Sequence, residues 1–150
     1  MTTHNHDTRV LNTLIATTLD SMKGYREAAE DSETSYATFF CDMADERSRV
    51  ASAMQAQVAA QGGDPEDDST LKAAAHRGFM NLKQALTGKD EKAIVGEVEH
   101  GEDYIKAKFE EALKDNELSA AARQVIEQAY TSVRSGHDKV SALKHSMAAA

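Results

Sequence analysis

Arg47 and Glu102 are the strongest candidates for chemistry, because each lies within the apolar series of a predicted helix. The apolar residues around them are Met43, Val50, Met54, Val98, Ile105 and Phe109. A buried charge costs several kcal/mol unless it is paired and hydrogen-bonded, so each residue requires a partner. Counted from helix starts near 32 and 89, Arg47 is about 15 residues along and Glu102 about 13, a height difference of ~3 Å on parallel helices. We expect an ion pair between adjacent parallel helices; the alternative is that Arg47 extends to solvent with its stem over the core.

His137 extends this candidate site. It lies at the edge of the last apolar stripe and, in an antiparallel hairpin, near the height of Tyr25, Glu99 and Glu102. These side chains would then form one polar patch in which Arg47, Glu102, His137 and Tyr25 bind a small ligand. The alternatives are a histidine at the core edge that bonds to a nearby carboxylate, and an ion pair that only fixes helix register.

A carboxylate-bridged di-metal centre is the second chemistry to consider. Such a centre needs an inward-facing Glu from each of two helices and an inward-facing Glu-x-x-His from each of two others. Those motifs are missing from the apolar stripes, and Glu27, Glu127 and His100 are predicted to face away from them. We therefore expect no cofactor. If a metal binds, Glu99, Glu102 and His137 are its predicted ligands, with iron or manganese as the alternative cofactor.

The elements that must position these residues are helices. Apolar residues spaced three and four apart predict long helices over about 6–31, 32–61, 89–115 and 120–147, and a shorter helix over about 70–87. Gly62, Gly63 and Pro65 end the second helix, and Ser119 can cap the last one. No segment alternates with a period of two, so no strand is predicted.

The order of these helices predicts their connectivity. The short helix between the second and third long helices suits a crossover along the length of the bundle, which is ferritin-like connectivity. The predicted fold is all-α: a ferritin-like four-helix bundle with an additional crossover helix. We expect a single domain over residues 1–150, with 1–5 and 148–150 frayed.

Composition excludes several functional classes. The net charge is −8, with 17 basic and 25 acidic residues and no basic stripe, which disfavours nucleic acid and anionic membranes as partners. No apolar run reaches the ~18 residues of a membrane helix, and the polar start does not resemble a signal peptide. Cys41, the single cysteine, is expected to be partly covered and without a redox role. We expect a cytoplasmic protein.

Five segments carry a family resemblance: residues 24–30 (GYREAAE), 62–66 (GGDPE), 76–80 (HRGFM), 101–103 (GED) and 137–138 (HD). In this order they resemble a bacterial family of ferritin-like four-helix-bundle proteins that carry a domain of unknown function. The resemblance covers nearly the whole chain. It implies the ferritin-like fold and supplies no activity.

The sequence therefore favours a non-enzymatic binding or structural module without an intact di-metal centre. A homodimer, another protein or a small ligand is its expected partner. The alternative is a divergent di-iron or di-manganese carboxylate protein that acts as an oxidase or handles metal.

Overall fold

The structure, a computed structural model, describes residues 2–32, 34–67 and 90–149 and consists there of helices and turns without strands. The helices are α1 (Thr2–Asp31), α2 (Thr34–Ala60), α3 (Glu91–Leu113) and α4 (Ala120–Ala149). The all-α four-helix bundle is thus confirmed. The predicted crossover helix over 70–87 lies outside the described residues. Helix α1 begins at Thr2 rather than near residue 6, and α4 continues to Ala149 rather than ending near 147.

The helix ends follow the turn chemistry of the sequence. After α2, Gly62 has a φ of 82°, a left-handed conformation that glycine adopts without steric cost. Asp90 caps α3 by accepting the backbone N–H groups of Lys92 and Ala93. Ser119 caps α4 as predicted, since its Oγ accepts the Ala122 N–H at 3.2 Å.

The four helices form two hairpins. Helix α1 packs mainly against α2, and α3 against α4, while α2 also contacts α4 and α1 contacts α3. Helices α2 and α3 therefore lie diagonally across the core. The expectation that they are adjacent is wrong, because each is flanked by α1 and α4.

Contacts at one end of the bundle set the helix directions. There Asn12 of α1 bonds to Asp64, just after α2, and His6 bonds to Asp115, just after α3. Both α2 and α3 thus run toward the start of α1 and are parallel to each other. The chain leaves α2 at this end and begins α3 at the other, about 35 Å away for a helix of 23 residues.

The core is formed by the predicted apolar stripes. Its largest fully buried apolar side chains are Tyr25, Phe40, Phe109, Leu11, Ile15, Met54, Ile94, Ile105 and Ile126. Glu27 and Glu127 are exposed, as predicted, whereas Cys41 is exposed rather than partly covered. None of the helices in the described ranges combines the length and hydropathy that a membrane span requires.

Candidate functional site

A charged pair occupies the centre of the bundle. Arg47 and Glu102 are both 0% exposed, and Nη2 of Arg47 donates to Oε1 of Glu102 at 2.7 Å. The contact expected from helix register is present, and it joins α2 to α3 across the diagonal. The alternative, in which Arg47 extends to solvent, is inconsistent with its complete burial.

Helix α1 supplies two further polar groups to this pair. The Tyr25 hydroxyl donates to Oε2 of Glu102 at 2.7 Å, and Nη1 of Arg47 donates to the Ser21 Oγ at 3.0 Å. The guanidinium carbon also lies 5.8 Å from the centroid of the Tyr25 ring, within the range of a cation–π contact. Both oxygens of the buried carboxylate therefore accept a hydrogen bond.

Helix α4 contributes space rather than a polar group. A Cβ built on Gly136 would lie 2.5 Å from Nη2 of Arg47, 2.8 Å from Cε of Met43 and 3.4 Å from Oε1 of Glu102. The guanidinium therefore lies against bare backbone at this position. We call Ser21, Tyr25, Arg47, Glu102 and Gly136 the central layer; all four helices contribute to it.

The electrostatics of the central layer follow from burial and from one paired charge. Burial, together with the Glu102 carboxylate, raises the pKa of Tyr25 well above its usual value, so Tyr25 remains a hydrogen-bond donor. Burial, the largest single effect, would lower the pKa of Arg47, but the attraction and hydrogen bond of Glu102, with contributions from Tyr25 and Glu46, together raise it. The charges of Arg47 and Glu102 thus compensate each other. Nε of Arg47 is buried without a hydrogen-bond partner among the described residues.

His137, in contrast, bonds elsewhere. Its Nε2 lies 2.7 Å from Oδ1 of Asp103, and its Nδ1 lies 3.5 Å from Oδ1 of Asp138. The one-residue offset explains the difference, because Gly136 faces the core and His137 lies beside it at the edge. The alternative of a core-edge histidine bonded to a carboxylate is the arrangement that the structure contains.

The predicted fallback metal ligands do not converge. Glu99 accepts a hydrogen bond from Nζ of Lys144 at 2.7 Å, Glu102 is held in the central layer, and His137 bonds to Asp103. Each of the three side chains thus has a different set of partners. The structure therefore does not bring together Glu99, Glu102 and His137, the ligand set that was predicted for the case that a metal binds.

The chain does contain one Glu-x-x-His, from Glu97 to His100. The imidazole of His100 is 56% exposed and lies 3.8 Å from its own Glu97. It faces away from the apolar stripe, as predicted, and cannot reach the central layer. The hydrogen bonds of the central layer, as far as the described residues go, involve one carboxylate and no imidazole.

A second polar cluster lies at the end of the bundle where α1 begins. It comprises His6, Asp115 and Glu117, each of which has one possible metal-ligating atom within 4.8 Å of those of the others. We call these three residues the basal cluster. His6 is held in α1 by a 2.6 Å hydrogen bond to Asp115, 109 residues along the chain. Sequence spacing cannot reveal a contact of this range.

The model of one protein family matches this chain. It is described as a domain of unknown function, DUF2383, and matches residues 7–116, more than half of the chain. The chain belongs to this family. The DUF2383 segment holds every residue of the central layer except Gly136, and it ends beside Asp115 of the basal cluster. No curated protein matches the chain.

Two residues of the central layer, Gly136 and Ser21, were not predicted from the sequence. Gly136 had a usable signal: a mid-helix glycine costs about 1 kcal/mol relative to alanine, which indicates close packing where it lies on a stripe, here between Val133 and Val140. Ser21 gave no such signal, because other small polar residues, such as Thr17 and Thr18, lie near it in the sequence. Those threonines bond to backbone carbonyls of their own helix.

Proposed function

We propose that this DUF2383 protein is a ferritin-like four-helix bundle that serves as a non-enzymatic binding or structural module. The observation that carries the proposal is the fully buried hydrogen bond from Arg47 to Glu102 in the central layer. Two antiparallel hairpins, with α2 and α3 parallel on the diagonal, support the ferritin-like assignment. The proposal includes one domain for the whole chain and a crossover helix between α2 and α3.

The central layer does not fit a carboxylate-bridged pair of metals. In such bundles, Glu and Glu-x-x-His side chains from four helices converge on the two ions. Here the guanidinium of Arg47 brings a fixed positive charge to that position, and Glu102 is already neutralised. Tyr25 donates a further hydrogen bond to Glu102, Ser21 accepts one from Arg47, and Gly136 provides no ligand. A divalent cation placed here would meet a buried like charge, which is strongly repulsive in a medium of low dielectric constant.

We assign the pair a role in helix register. It joins residues 55 positions apart on α2 and α3, which belong to different hairpins. A sliding of α2 against α3 by one turn, about 5.4 Å, would separate the two charges inside the core. Buried polar groups of this kind specify register in other helical assemblies, even where they add little stability.

The metal content of the untagged protein, purified without chelator, tests this proposal. We expect less than two equivalents of iron and manganese per chain, and the same content of each metal in the wild type and in Glu102→Gln. Two equivalents of either metal in the wild type, lost in Glu102→Gln, would show that the central layer is a metal centre. The proposal would then be wrong.

The module is proposed to act in the cytoplasm, and a second copy of the chain is its first candidate partner. The net charge of −8 and the single cysteine are consistent with this location. Sedimentation equilibrium between low and high micromolar concentration tests the partner. A mass twice that of the 16.3 kDa chain is expected at the upper end, and a constant monomer mass would exclude a homodimer.

A further inference from the structure

We propose that the basal cluster is a binding site for one divalent transition-metal ion, with His6, Asp115 and Glu117 as ligands. This site lies at the end of the bundle and is independent of the central layer. The three ligands come from α1 and from the turn between α3 and α4. A bound ion would therefore tie the start of the chain to the second hairpin.

The hydrogen bonding of His6 shows where the ion would lie. Nη2 of Arg9 lies 3.5 Å from Nδ1 of His6. Because a guanidinium can only donate, Nδ1 is the acceptor and the ring proton is assigned to Nε2. Nε2 then donates to Oδ2 of Asp115 at 2.6 Å. An ion between these two atoms would take the place of that proton. The neutral imidazole would then carry its single ring proton on Nδ1, and the exposed Arg9 side chain would turn away from it. Two ligands at about 2 Å from an ion are ~3.3 Å apart, so the pair must open by less than 1 Å.

The turn that carries Asp115 and Glu117 is held in position before any ion binds. Oδ1 of Asp115 accepts the Glu117 N–H at 2.8 Å, which leaves Oδ2 directed toward His6. Arg123 donates from Nη1 to the Leu113 carbonyl at 2.8 Å and from Nη2 to the Asp115 carbonyl. The side chains of His6 and Asp115 are both 23% exposed, whereas that of Glu117 is 80% exposed and free to rotate toward an entering ion.

A buried carboxylate beside the cluster adds negative charge. Asp7 is 0% exposed, and its Oδ1 accepts the Ser119 N–H at 3.0 Å, so it lies against the same turn. Its Oδ2 is buried without a hydrogen-bond partner in the part of the chain that is described. With Asp115 and Glu117, three carboxylates lie at this end beside Arg9 and Arg123, and the adjoining groove adds Glu111 and Lys108. The local excess of negative charge attracts a cation.

The groove beside the site and the types of its three ligands indicate which ion would bind. A groove of about 200 Å³ between α1 and α3 reaches Asp115 and is also lined by Val10, Thr13, Lys108 and Glu111. It opens one side of Asp115 to solvent. One imidazole with two carboxylates suits zinc, manganese or iron(II), and is a poor set for calcium or magnesium, which prefer oxygen ligands alone.

Zinc titration of the untagged protein by calorimetry tests the site, with cobalt(II) absorption as a second readout. We expect about one equivalent to bind, with a His6→Gln affinity lower by roughly tenfold or more. Glu117→Gln should also weaken binding. Because that side chain is exposed, the variant keeps its fold even if His6→Gln does not.

His137→Gln is the matched control. This imidazole is 21% exposed, lies 2.7 Å from Asp103 and has a second carboxylate, Asp138, at 3.5 Å. Among the residues that the structure describes, no third metal-ligating group converges on it. His137→Gln and Glu102→Gln should both bind zinc with the wild-type affinity. Equal affinities in the wild type, His6→Gln and Glu117→Gln would overturn the site, as would the absence of saturable binding. Binding that depends on Glu102 and not on His6 would overturn the proposed function instead.

Discussion

The central layer and the basal cluster use similar residue types in opposite ways. In the central layer, one carboxylate meets one guanidinium, both fully buried, and Tyr25 supplies a further donor. In the basal cluster, two carboxylates share one imidazole, and all three side chains reach solvent. In the first set the two charges compensate each other, whereas the second set has more acceptors than donors. A polar group inside a bundle thus indicates binding only where its charge is left uncompensated.

Removing one partner of the buried pair should have the largest effect. Glu102→Ala leaves the Arg47 guanidinium without its counter-charge in the core, which we expect to lower the free energy of unfolding by about 3 kcal/mol or more. Glu99→Ala is the matched control, since Glu99 lies on the same helix and pairs with the half-exposed Lys144 at 2.7 Å. That variant should lose only about 0–1 kcal/mol. Equal losses in urea denaturation would show that the central pair is hydrated.

Tyr25→Phe should have the next largest effect, because it removes a buried donor to a carboxylate. We expect a loss of about 1.5–3 kcal/mol in urea denaturation at pH 7. Tyr130→Phe, which removes a similar hydroxyl–carboxylate bond of 2.5 Å to Glu110 near the surface, should cost less.

The pH dependence of wild-type stability also tests the buried Tyr25 hydroxyl. Because the pKa of Tyr25 is raised in the folded protein, its stabilising contribution is complete below pH 10 and falls as the pH rises above the unfolded value near 10. Tyr25→Phe should lose less stability than the wild type between pH 9 and 11. An unchanged alkaline slope would contradict the burial of this hydroxyl.

Gly136→Ala tests the space in the central layer and should have an intermediate effect. The added Cβ displaces Nη2 of Arg47 from Glu102, and we expect a net loss of about 1–2 kcal/mol after the gain in helix propensity. Gly96→Ala, where a Cβ meets nothing within 4 Å, should instead gain up to about 1 kcal/mol. If both variants gain stability in thermal denaturation, Gly136 is not required by the ion pair.

The smallest effects are expected at the carboxylates that face away from the core. Glu27 and Glu127 are exposed, so Glu27→Gln and Glu127→Gln should each change stability by less than about 0.5 kcal/mol. A larger loss at either position, measured in the same denaturation series, would mean that the helix is rotated relative to the stripe assigned to it.

The helices and the central pair could be predicted because both depend on local periodicity. Apolar residues three and four apart gave the buried faces of α1 to α4, and Arg47 and Glu102 appeared as interruptions of those faces. Their heights followed from the rise per residue once α2 and α3 were taken as parallel. The diagonal placement of these two helices was missed, since periodicity alone does not say which helices are neighbours.

The basal cluster could not be predicted, for a physical reason. His6 and Asp115 are 109 residues apart, and their contact depends on where α1 begins and how the α3–α4 turn is shaped. His137 lies at the core edge, as predicted, but it bonds to Asp103 rather than to the patch with Tyr25 and Glu102, because at about 100° per residue its neighbour Gly136 lies on the inward side. Gly136, which takes the inward position, has no side chain to mark the stripe.

The double variant Arg47→Met with Glu102→Leu tests the central claim most directly. If the pair only fixes register, replacing both charges by apolar residues of similar size should recover most of the roughly 3 kcal/mol lost in Glu102→Ala, or exceed it. The urea midpoint should then return to that of the wild type or above, because the attraction within the pair hardly offsets its desolvation. A double variant that folds with wild-type stability but loses a bound metal or ligand present in the wild type would show that the central layer is a functional site, contrary to this account.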